Sequence, residues 1–486
     1  MKFVYAVSLL LPVPAAAALI SEKGGKRWRA VTCAVSGAEL ILSLLTAFGE
    51  KTALTLFTLA GLDFTLAPDT LGCIFAVLFS ALFFAAAVYS AEYLEHDPAA
   101  GKFCAAYLLT LGALLGLSMA GELQTYYMFF EFLTFASFPL VLHDRTEKSR
   151  AAAVKFLCYS FIGAALALFG LVFSAKLLGT LRFTGGGYGV DGESRSLALA
   201  VVFISVMGFG CKAGIMPLHE WLPAAHPQAP APASAILSGC VTKAGVLGIM
   251  RIVFFLFGSA ALRGTWVQYA LIAAALATVF CGSMLAYKEK VLKKRIAYST
   301  VSQVSYALFG LFLLSEAGFV GAMLQVLFHA VTKVCIFLCA GAVIHGSGRE
   351  RVYSPNGEFQ YYGLGRAMPF TMLAYTLASL SLVGLPPFGG FVSKWYLAEG
   401  SFQALGFSGW AGAAVLLVSA LLTAGYLLPI TAGAFFPAEG QPPAAAKEAS
   451  WRMTVPVMLL AVLLAVLGVC SFGYADMLLR LAGSLL

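Results

Sequence analysis

The feature that most constrains this chain is a series of apolar runs about 20 residues long, the length that crosses a bilayer core as a helix. Fourteen such runs can be placed along the 486 residues, with short connections between them. Only 11% of the residues are charged, against about 25% in a typical soluble domain. The sequence therefore predicts an all-α polytopic membrane protein and excludes a sizeable soluble domain.

The predicted spans follow one another closely, and one of them is interrupted. They are residues 3–20, 29–48, 70–92, 103–120, 123–142, 156–176, 197–217, 231–257, 266–286, 297–315, 319–345, 369–404 (interrupted), 409–436 and 453–474. Residues 52–67 alternate apolar and polar residues around a glycine, which is typical of a β-hairpin. We expect this hairpin on the outer side of the membrane.

The basic residues are unevenly distributed between the loops. A net charge of +8 would suggest acidic partners in a soluble protein, but here nineteen of the 31 Lys and Arg residues fall in loops on one side and eight on the other. The richer side is cytoplasmic by the positive-inside rule. We therefore expect a protein of the cell membrane with both termini outside. The basic cluster follows the first apolar run, which favours a retained helix over a cleaved signal peptide.

The four remaining basic residues lie inside predicted spans, and all are lysines: Lys212, Lys243, Lys333 and Lys394. A charge in mid-membrane costs at least about 3 kcal/mol, so it rarely persists without a partner and a function. A buried lysine can both accept and release protons near neutral pH, whereas arginine keeps its charge. This choice of residue favours proton transfer over fixed electrostatics.

Three further ionisable residues accompany the lysines within the spans. Glu131 is flanked by phenylalanines and is a candidate partner for a buried lysine. For Glu39 the sequence leaves a structural hydrogen bond and a functional role equally open. His329 belongs to one of two polar stripes at helical spacing, which are Gln325, His329 and Lys333 on one span and Ser299, Gln303 and Tyr306 on the preceding one. Such stripes face the bundle interior and serve either proton relay or helix–helix hydrogen bonding.

Glycines and prolines break two spans beside Lys212 and Lys394. Broken helices free backbone groups that only a polar interior satisfies, and two such elements 182 residues apart indicate an internal repeat. We accordingly divide the chain into an N-terminal part with the hairpin, a first repeat, a second repeat, and a loop with the last helix. The boundaries are 1–100, 101–258, 259–436 and 437–486.

Metal and redox sites are not indicated. His219 and His226, with Glu220 between them, lack the spacing of a zinc site and are better explained as an entrance funnel or a structural loop. Cys335 and Cys339, one helical turn apart, are typical of packing. We therefore expect no cofactor on this chain.

Several segments resemble a known family. GCKAGIMPLHEWLPAAHPQAPAPASAILSGCVTKAGVLGIMRI (210–252) is similar to the signature of the antiporter-like subunits of complex I, membrane-bound hydrogenases and Mrp-type Na+/H+ antiporters. LKKRIAYSTVSQVSY (292–306), FHAVTKVCIFLCAG (328–341) and VGLPPFGGFVSKWYL (383–397) resemble further family segments in the same order. With Glu131, the resemblance covers roughly residues 65–435.

The resemblance implies fourteen helices with two inverted five-helix repeats, helices 4 to 8 and 9 to 13, each containing a broken helix. It implies that Glu131 and Lys212 pair in the first half-channel and that Lys243 bridges the halves. It further implies that His329 and Lys333 form a relay and that Lys394 is the terminal group. Some members carry Glu at the last site, and we expect no counterpart here of the long lateral helix of the distal complex I subunit. Shorter, Mrp D-like subunits are the expected relatives.

The functional hypothesis is an ion-translocating subunit, most simply for protons, of a redox-driven complex. Its partners would be other antiporter-like and small membrane subunits and a hydrophilic arm carrying flavin and iron–sulfur clusters. The alternatives are a subunit of an Mrp-type antiporter driven by an ion gradient and a transport-inactive scaffold. An intramembrane enzyme is disfavoured because the chain lacks paired catalytic carboxylates, a metal cluster and a nucleophile triad. Whether the complex is an enzyme stays open.

Overall fold

The structure is a computed structural model that describes residues 1–21, 25–190, 192–436 and 446–486. Most of the described chain is helical. The helices before the first break are α1 Lys2–Leu10, α2 Pro12–Ser21, α3 Arg27–Phe48, α4 Thr70–Tyr93, α5 Ala100–Ser118, α6 Leu123–Val141, α7 Glu147–Leu178 and α8 Arg195–Ala213. The middle helices are α9 Trp221–Gln228, α10 Ala231–Ile236, α11 Thr242–Met250, α12 Ser259–Leu262, α13 Trp266–Lys288, α14 Leu292–Phe312 and α15 Glu316–Ser347. The last helices are α16 Leu364–Ala367, α17 Pro369–Val383, α18 Gly389–Leu405, α19 Gly409–Phe435, α20 Trp451–Val469 and α21 Ser471–Gly483.

The chain forms two compact units. Unit 1 comprises Met1–Lys212 and Cys240–Leu262, together with Leu485. Unit 2 comprises Ala213–Gly239 and Arg263–Ser484, together with Leu486. Each unit has its own buried interior, and each contains two of the four lysines that the sequence places inside spans.

The helices confirm a polytopic membrane protein. In the described part of the chain, eleven helical segments are long and apolar enough to cross a membrane. The three other predicted spans coincide with α6, with α14 and with the pair α17 and α18, which are more polar or shorter. Every predicted span therefore corresponds to helix, and the count of fourteen membrane crossings stays a prediction.

The predicted β-hairpin is confirmed. Strands β1 Leu54–Leu59 and β2 Leu62–Leu66 pair antiparallel, with Leu59 opposite Leu62 across a turn at Ala60 and Gly61. Both turn residues have positive φ, which glycine tolerates without a steric penalty. Phe57 and Phe64 stack across the strands with ring centroids 4.6 Å apart.

Both predicted breaks are also present. Helix α8 ends before Gly214 and helix α17 ends before Gly384, and these glycines have φ of +92° and +91°. Residues other than glycine rarely adopt this conformation, so each helix stops there. In both cases a proline, Pro217 or Pro387, follows three residues later.

One basic residue counted among the outer loops lies elsewhere. Arg251 is 1% exposed, inside the helical segment Ala231–Phe257, and pairs with Asp69 at 2.5 and 2.8 Å. Its guanidinium also lies over the rings of Phe183 and Phe255, at 4.8 and 4.6 Å. The assignment of Arg251 to a loop is therefore wrong, because a carboxylate and two aromatic rings compensate the buried charge.

Two of the basic residues that the sequence assigned to the predicted cytoplasmic loops are buried. Lys293 and Arg295 are 8% and 3% exposed and donate to backbone carbonyls, the lysine to Ala229 at 2.9 Å and the arginine to Tyr426 at 3.0 Å. Lys23, which also counted toward the predicted cytoplasmic side, and residues 437–445 of the predicted loop before the last helix lie outside the described residues.

Candidate functional site

Lys212 occupies the last turn of α8 and is 3% exposed. Its Nζ donates to Oγ1 of Thr134 on α6 at 2.6 Å. The ammonium also lies 4.8 Å from the ring centroid of Phe130 and 5.7 Å from that of Phe156. One hydroxyl and two aromatic faces thus hold the charge without fully neutralising it.

Glu131 lies on the same helix as Thr134, one turn earlier, and is half-buried. Its Oε1 is buried and has no hydrogen-bond partner among the described residues. The ion pairs found within the described part of the chain do not include Glu131 with Lys212. Glu131 and Lys212 therefore both lie near Thr134, and the Thr134 hydroxyl is the direct contact of the lysine.

Lys243 lies on α11 in the same unit and is 1% exposed. The neighbouring residue, Ala244, accepts a hydrogen bond from the hydroxyl of Tyr126 through its carbonyl oxygen. Tyr126 and Phe130 both pack edge-on against Phe209, at 5.7 and 5.1 Å. A series of ring contacts therefore runs from Tyr126, which is bonded to the residue after Lys243, through Phe209 to Phe130, the ring that faces Lys212.

In unit 2, the two predicted polar stripes face each other. Lys333 on α15 is fully buried, and its Nζ donates to Oγ of Ser299 at 2.8 Å and to the carbonyl of Ile296 at 3.0 Å on α14. One turn beyond Ser299, the Gln303 Oε1 accepts a hydrogen bond from Nε2 of Gln325 at 2.9 Å. The stripes thus make direct contact at two levels.

A further hydrogen bond connects the two stripes to α18. The hydroxyl of Ser393 donates to Oε1 of Gln325 at 2.7 Å. Ser393 is fully buried and directly precedes Lys394. We call Lys333, Ser299, Gln303, Gln325 and Ser393 the hydrogen-bonded line of unit 2; it consists of two bonded groups, Lys333 with Ser299 and Gln303 with Gln325 and Ser393, one helical turn apart on α14.

Lys394 bridges the break between α17 and α18. Its Nζ donates to the carbonyls of Leu382 and Val383, the last two residues of α17, at 2.6 and 2.7 Å. These carbonyls have no partner within their own helix and carry its negative dipole end, so a cation stabilises them. A Cβ at Gly384 would lie 2.8 Å from Cδ of Lys394, so this approach requires glycine there. The ring of Tyr306, 5.3 Å from Nζ, covers the other side.

The three histidines of the predicted site are buried. His329 is 3% exposed and lies on α15 one turn from Lys333. His226 is fully buried and stacks on Phe337, one turn beyond Lys333, with ring centroids 4.7 Å apart. His219 is 7% exposed, and Glu220 beside it is half-buried at the start of α9.

Several contacts of the lysines were not predicted from the sequence. Thr134 could have been proposed from the sequence, since it lies one helical turn after Glu131 and therefore on the same helix face. Ser393 had none, because a serine in an apolar span is usually explained by helix packing. The carbonyl acceptors of Lys333 and Lys394 belong to the backbone, which carries no residue-specific signal. Among the described residues, no group of three or more His, Cys, Asp or Glu side chains is placed to hold a metal ion.

Fold and site together define a polytopic helical membrane protein in which each unit buries lysines, some of them against hydroxyl and carbonyl oxygens. The family described as NADH:quinone oxidoreductase/Mrp antiporter, TM matches residues 120–423. The chain belongs to this family, as the sequence motifs predicted.

Individual relatives agree with this assignment. The chain is 34% identical over 424 residues to NADH-quinone oxidoreductase subunit N of Desulforudis audaxviator, covering 84% of this chain and 82% of that protein. It is 29% identical over 354 residues to hydrogenase-4 component B of Escherichia coli, which is 70% of this chain and 51% of that protein. A chain of the Mrp complex from Dietzia sp. has the same fold, with a TM-score of 0.85 at 21% identity over 100% of this chain and 98% of that one.

Proposed function

We propose that this chain is the ion-translocating membrane subunit of a multisubunit, redox-driven complex of the complex I or membrane-bound hydrogenase type, and that the ion is the proton. In this proposal the proton enters from the cytoplasm near His219, Glu220 and His226 and reaches Lys212. It then passes to Lys243, to His329 and Lys333, and leaves from Lys394. The order follows the two proposed inverted repeats, residues 101–258 and 259–436.

The observation that carries the proposal is the hydrogen-bonded line of unit 2. Lys333 is bonded to Ser299, and one helical turn further along α14 Gln303 is bonded to Gln325, which Ser393 joins to the position next to Lys394. Serine hydroxyls and waters held by the glutamine amides can pass a proton between two lysines. A structural bundle does not require polar side chains to be placed at every turn between two lysines.

Unit 1 supplies the gating element of the proposal. Lys212 has a neutral hydroxyl acceptor, and Glu131 lies one turn away from that hydroxyl with a free carboxylate oxygen. A small shift of α6 relative to α8 would change the separation of carboxylate and ammonium. Since each charge stabilises the other, this separation controls how readily the lysine gives up its proton.

The partners in this proposal are the other membrane subunits of the complex and a hydrophilic arm. That arm would carry the flavin and iron–sulfur clusters and supply the driving force. The complex would lie in the cell membrane with both termini of this chain outside. A subunit of an Mrp-type antiporter is the second candidate. It is favoured by the family, whose description includes Mrp antiporters, and by the fold shared with a chain of the Dietzia complex.

The test is ion pumping by the assembled complex in sealed vesicles, with Lys212→Ala and Lys394→Ala compared with the wild type. Both variants are expected to lose most proton uptake per substrate turned over. Lys293→Ala is the matched control, because Lys293 is also buried and bonded to a carbonyl but lies outside the proposed path.

Unchanged pumping in both test variants would show a scaffold rather than a channel. Uptake of radioactive sodium coupled to proton release, without any redox substrate, would instead establish the antiporter. The subunits that co-purify with the chain distinguish the two assemblies independently, since hydrogenase or dehydrogenase subunits occur only in the redox-driven type.

A further inference from the structure

One buried arginine of unit 2 is held by backbone carbonyls rather than by a carboxylate. Arg295 lies in the first turn of α14 and is 3% exposed. Its guanidinium donates from Nε to the carbonyl of Glu289 at 2.8 Å and from Nη1 to that of Tyr426 at 3.0 Å. The ring of Tyr353 lies 5.7 Å from the guanidinium carbon. The ion pairs found among the described residues do not include Arg295.

This position is unfavourable for a positive charge. The carboxylate of Glu289, in the turn before α14, pairs with Lys294 at 2.8 Å and accepts from the backbone N–H groups of Lys290 and Val291. The first turn of a helix is also the positive end of its dipole, which disfavours a cation. Burial, the lack of a bonded carboxylate and the helix dipole therefore all oppose the charge of Arg295.

Arg295 continues the polar stripe of α14 toward the start of the helix. It precedes Ser299 by four residues, and Ser299 precedes Gln303 by four, so the three side chains share one helix face. Lys333 donates to Ser299 and to the carbonyl of Ile296, the residue after Arg295. Arg295 therefore lies at the end of the hydrogen-bonded line of unit 2 that is nearest the predicted cytoplasmic side.

Only a short distance separates this end of the line from the surface. Side chains on a helix lean toward its N-terminus, and the guanidinium accordingly reaches back to the carbonyl of Glu289. Glu289 is half-buried, and its neighbours Lys288 and Lys290 are exposed. The charge of Arg295 thus lies between the surface and the bonded pair of Lys333 and Ser299.

We propose that Arg295 is an electrostatic barrier that prevents protons from passing directly between the predicted cytoplasmic surface and Lys333. The inference rests on the proposed function, since it requires the line to conduct protons. Arginine keeps its charge, so it repels a proton without carrying one onward. Ser299 lies about 6 Å further along the helix and the arginine side chain extends the opposite way, so the charges are about 10 Å apart. At an effective dielectric constant of about 20, a positive charge at about 10 Å lowers the occupancy of a second one about 15-fold.

The consequence is that Lys333 receives protons from inside the protein and that pumped protons do not flow back. The test measures passive proton flow through the assembled complex in sealed vesicles without substrate. A pH gradient is imposed, and its decay is followed with a pH-sensitive dye trapped inside. Arg295→Gln removes the charge but keeps an N–H donor for a carbonyl, and it is expected to speed the decay about tenfold.

A matched control and a double variant separate flow through the line from damaged packing. Lys293→Gln removes a buried positive charge from the same helix turn, but Lys293 lies off the stripe and donates to the carbonyl of Ala229, so the decay is expected to stay at the wild-type rate. Adding Ser393→Ala to Arg295→Gln removes the bond between Gln325 and α18. This addition is expected to return the decay close to the wild-type rate, whereas a leak through disturbed packing would not respond to Ser393.

A second pair of variants covers the case in which Arg295→Gln does not assemble. Tyr353→Glu places a carboxylate beside the guanidinium and offsets its charge, so it is expected to speed the decay relative to Tyr353→Gln.

A wild-type decay rate in Arg295→Gln would overturn the inference, and so would a faster decay that Ser393→Ala does not slow. If Arg295→Gln does not assemble, equal rates in Tyr353→Glu and Tyr353→Gln would overturn it. Failure of the proposed function appears in a different measurement, the proton uptake per substrate turned over in Lys212→Ala and Lys394→Ala.

Discussion

Replacing Ser393 by alanine tests the hydrogen-bonded line of unit 2 at its narrowest point. The Ser393 hydroxyl donates to Oε1 of Gln325 at 2.7 Å, and this bond joins the α14 and α15 stripes to the helix that carries Lys394. Alanine keeps the helix and nearly the same volume. The substitution therefore removes one link and little else.

The size of the effect follows from the group left behind. Without its donor, the Gln325 oxygen becomes a buried acceptor with one partner fewer, which costs about 1–3 kcal/mol. If this cost falls on the configuration that transfers the proton, the rate falls about 5- to 150-fold, since about 1.4 kcal/mol is a factor of ten. The loss of stability is of the same order, which a large assembled complex tolerates.

The assay compares proton uptake with substrate turnover in sealed vesicles. Ser393→Ala is expected to lower uptake per turnover at least about fivefold. Ser401→Ala is the control on the same helix, since Ser401 is equally buried and donates only to the backbone carbonyl of Gly409 at 2.9 Å. Equal uptake in Ser393→Ala and Ser401→Ala would refute the view that protons use this line.

Two further predictions concern charged groups outside the line. Arg251→Met is expected to lower the free energy of unfolding by about 3 kcal/mol. This is the lower end of the range for breaking a buried ion pair, because the Asp69 side chain is 34% exposed, and adding Asp69→Asn should restore part of the loss. Equal denaturation midpoints for the wild type, the single variant and the double variant would contradict this. Hydrogen bonds from Arg29 and Lys26 lower the pKa of Glu95 from 4.5 to about 2. Since the folded pKa is the lower one, the stabilisation exists above about pH 4.5 and is lost as the pH falls toward about 2. The Tm difference between wild type and Glu95→Gln should shrink over that range, and a constant difference would contradict the assignment.

The fold class and the position of nearly every span could be predicted from the sequence. The reason is that each crossing of a bilayer needs about 20 consecutive apolar residues, and such a run can be recognised in the sequence without knowing the fold. The same holds for the hairpin at residues 52–67 and for the two breaks, since alternation, glycine and proline act over a few residues. The buried lysines were identified in the same way, because a charge in an apolar run is visible without any structure.

Partners across helices could not be predicted in this way. Thr134 beneath Lys212, Ser393 beside Gln325, and the carbonyls that hold Lys394 come from elements distant in sequence. For Arg251 the sequence suggested a loop, because the compensating Asp69 lies 182 residues away.

The chain's own pattern therefore determined which residues enter the membrane and which of them carry charge. The tertiary structure decided what each charge contacts. The physical reason is that burial of apolar surface depends on local composition, whereas the hydrogen bonds of a buried polar group depend on which helices pack together. Glu39 illustrates the difference, since the sequence left its role open and the packing of α1 on α3 places the Ser8 hydroxyl against it.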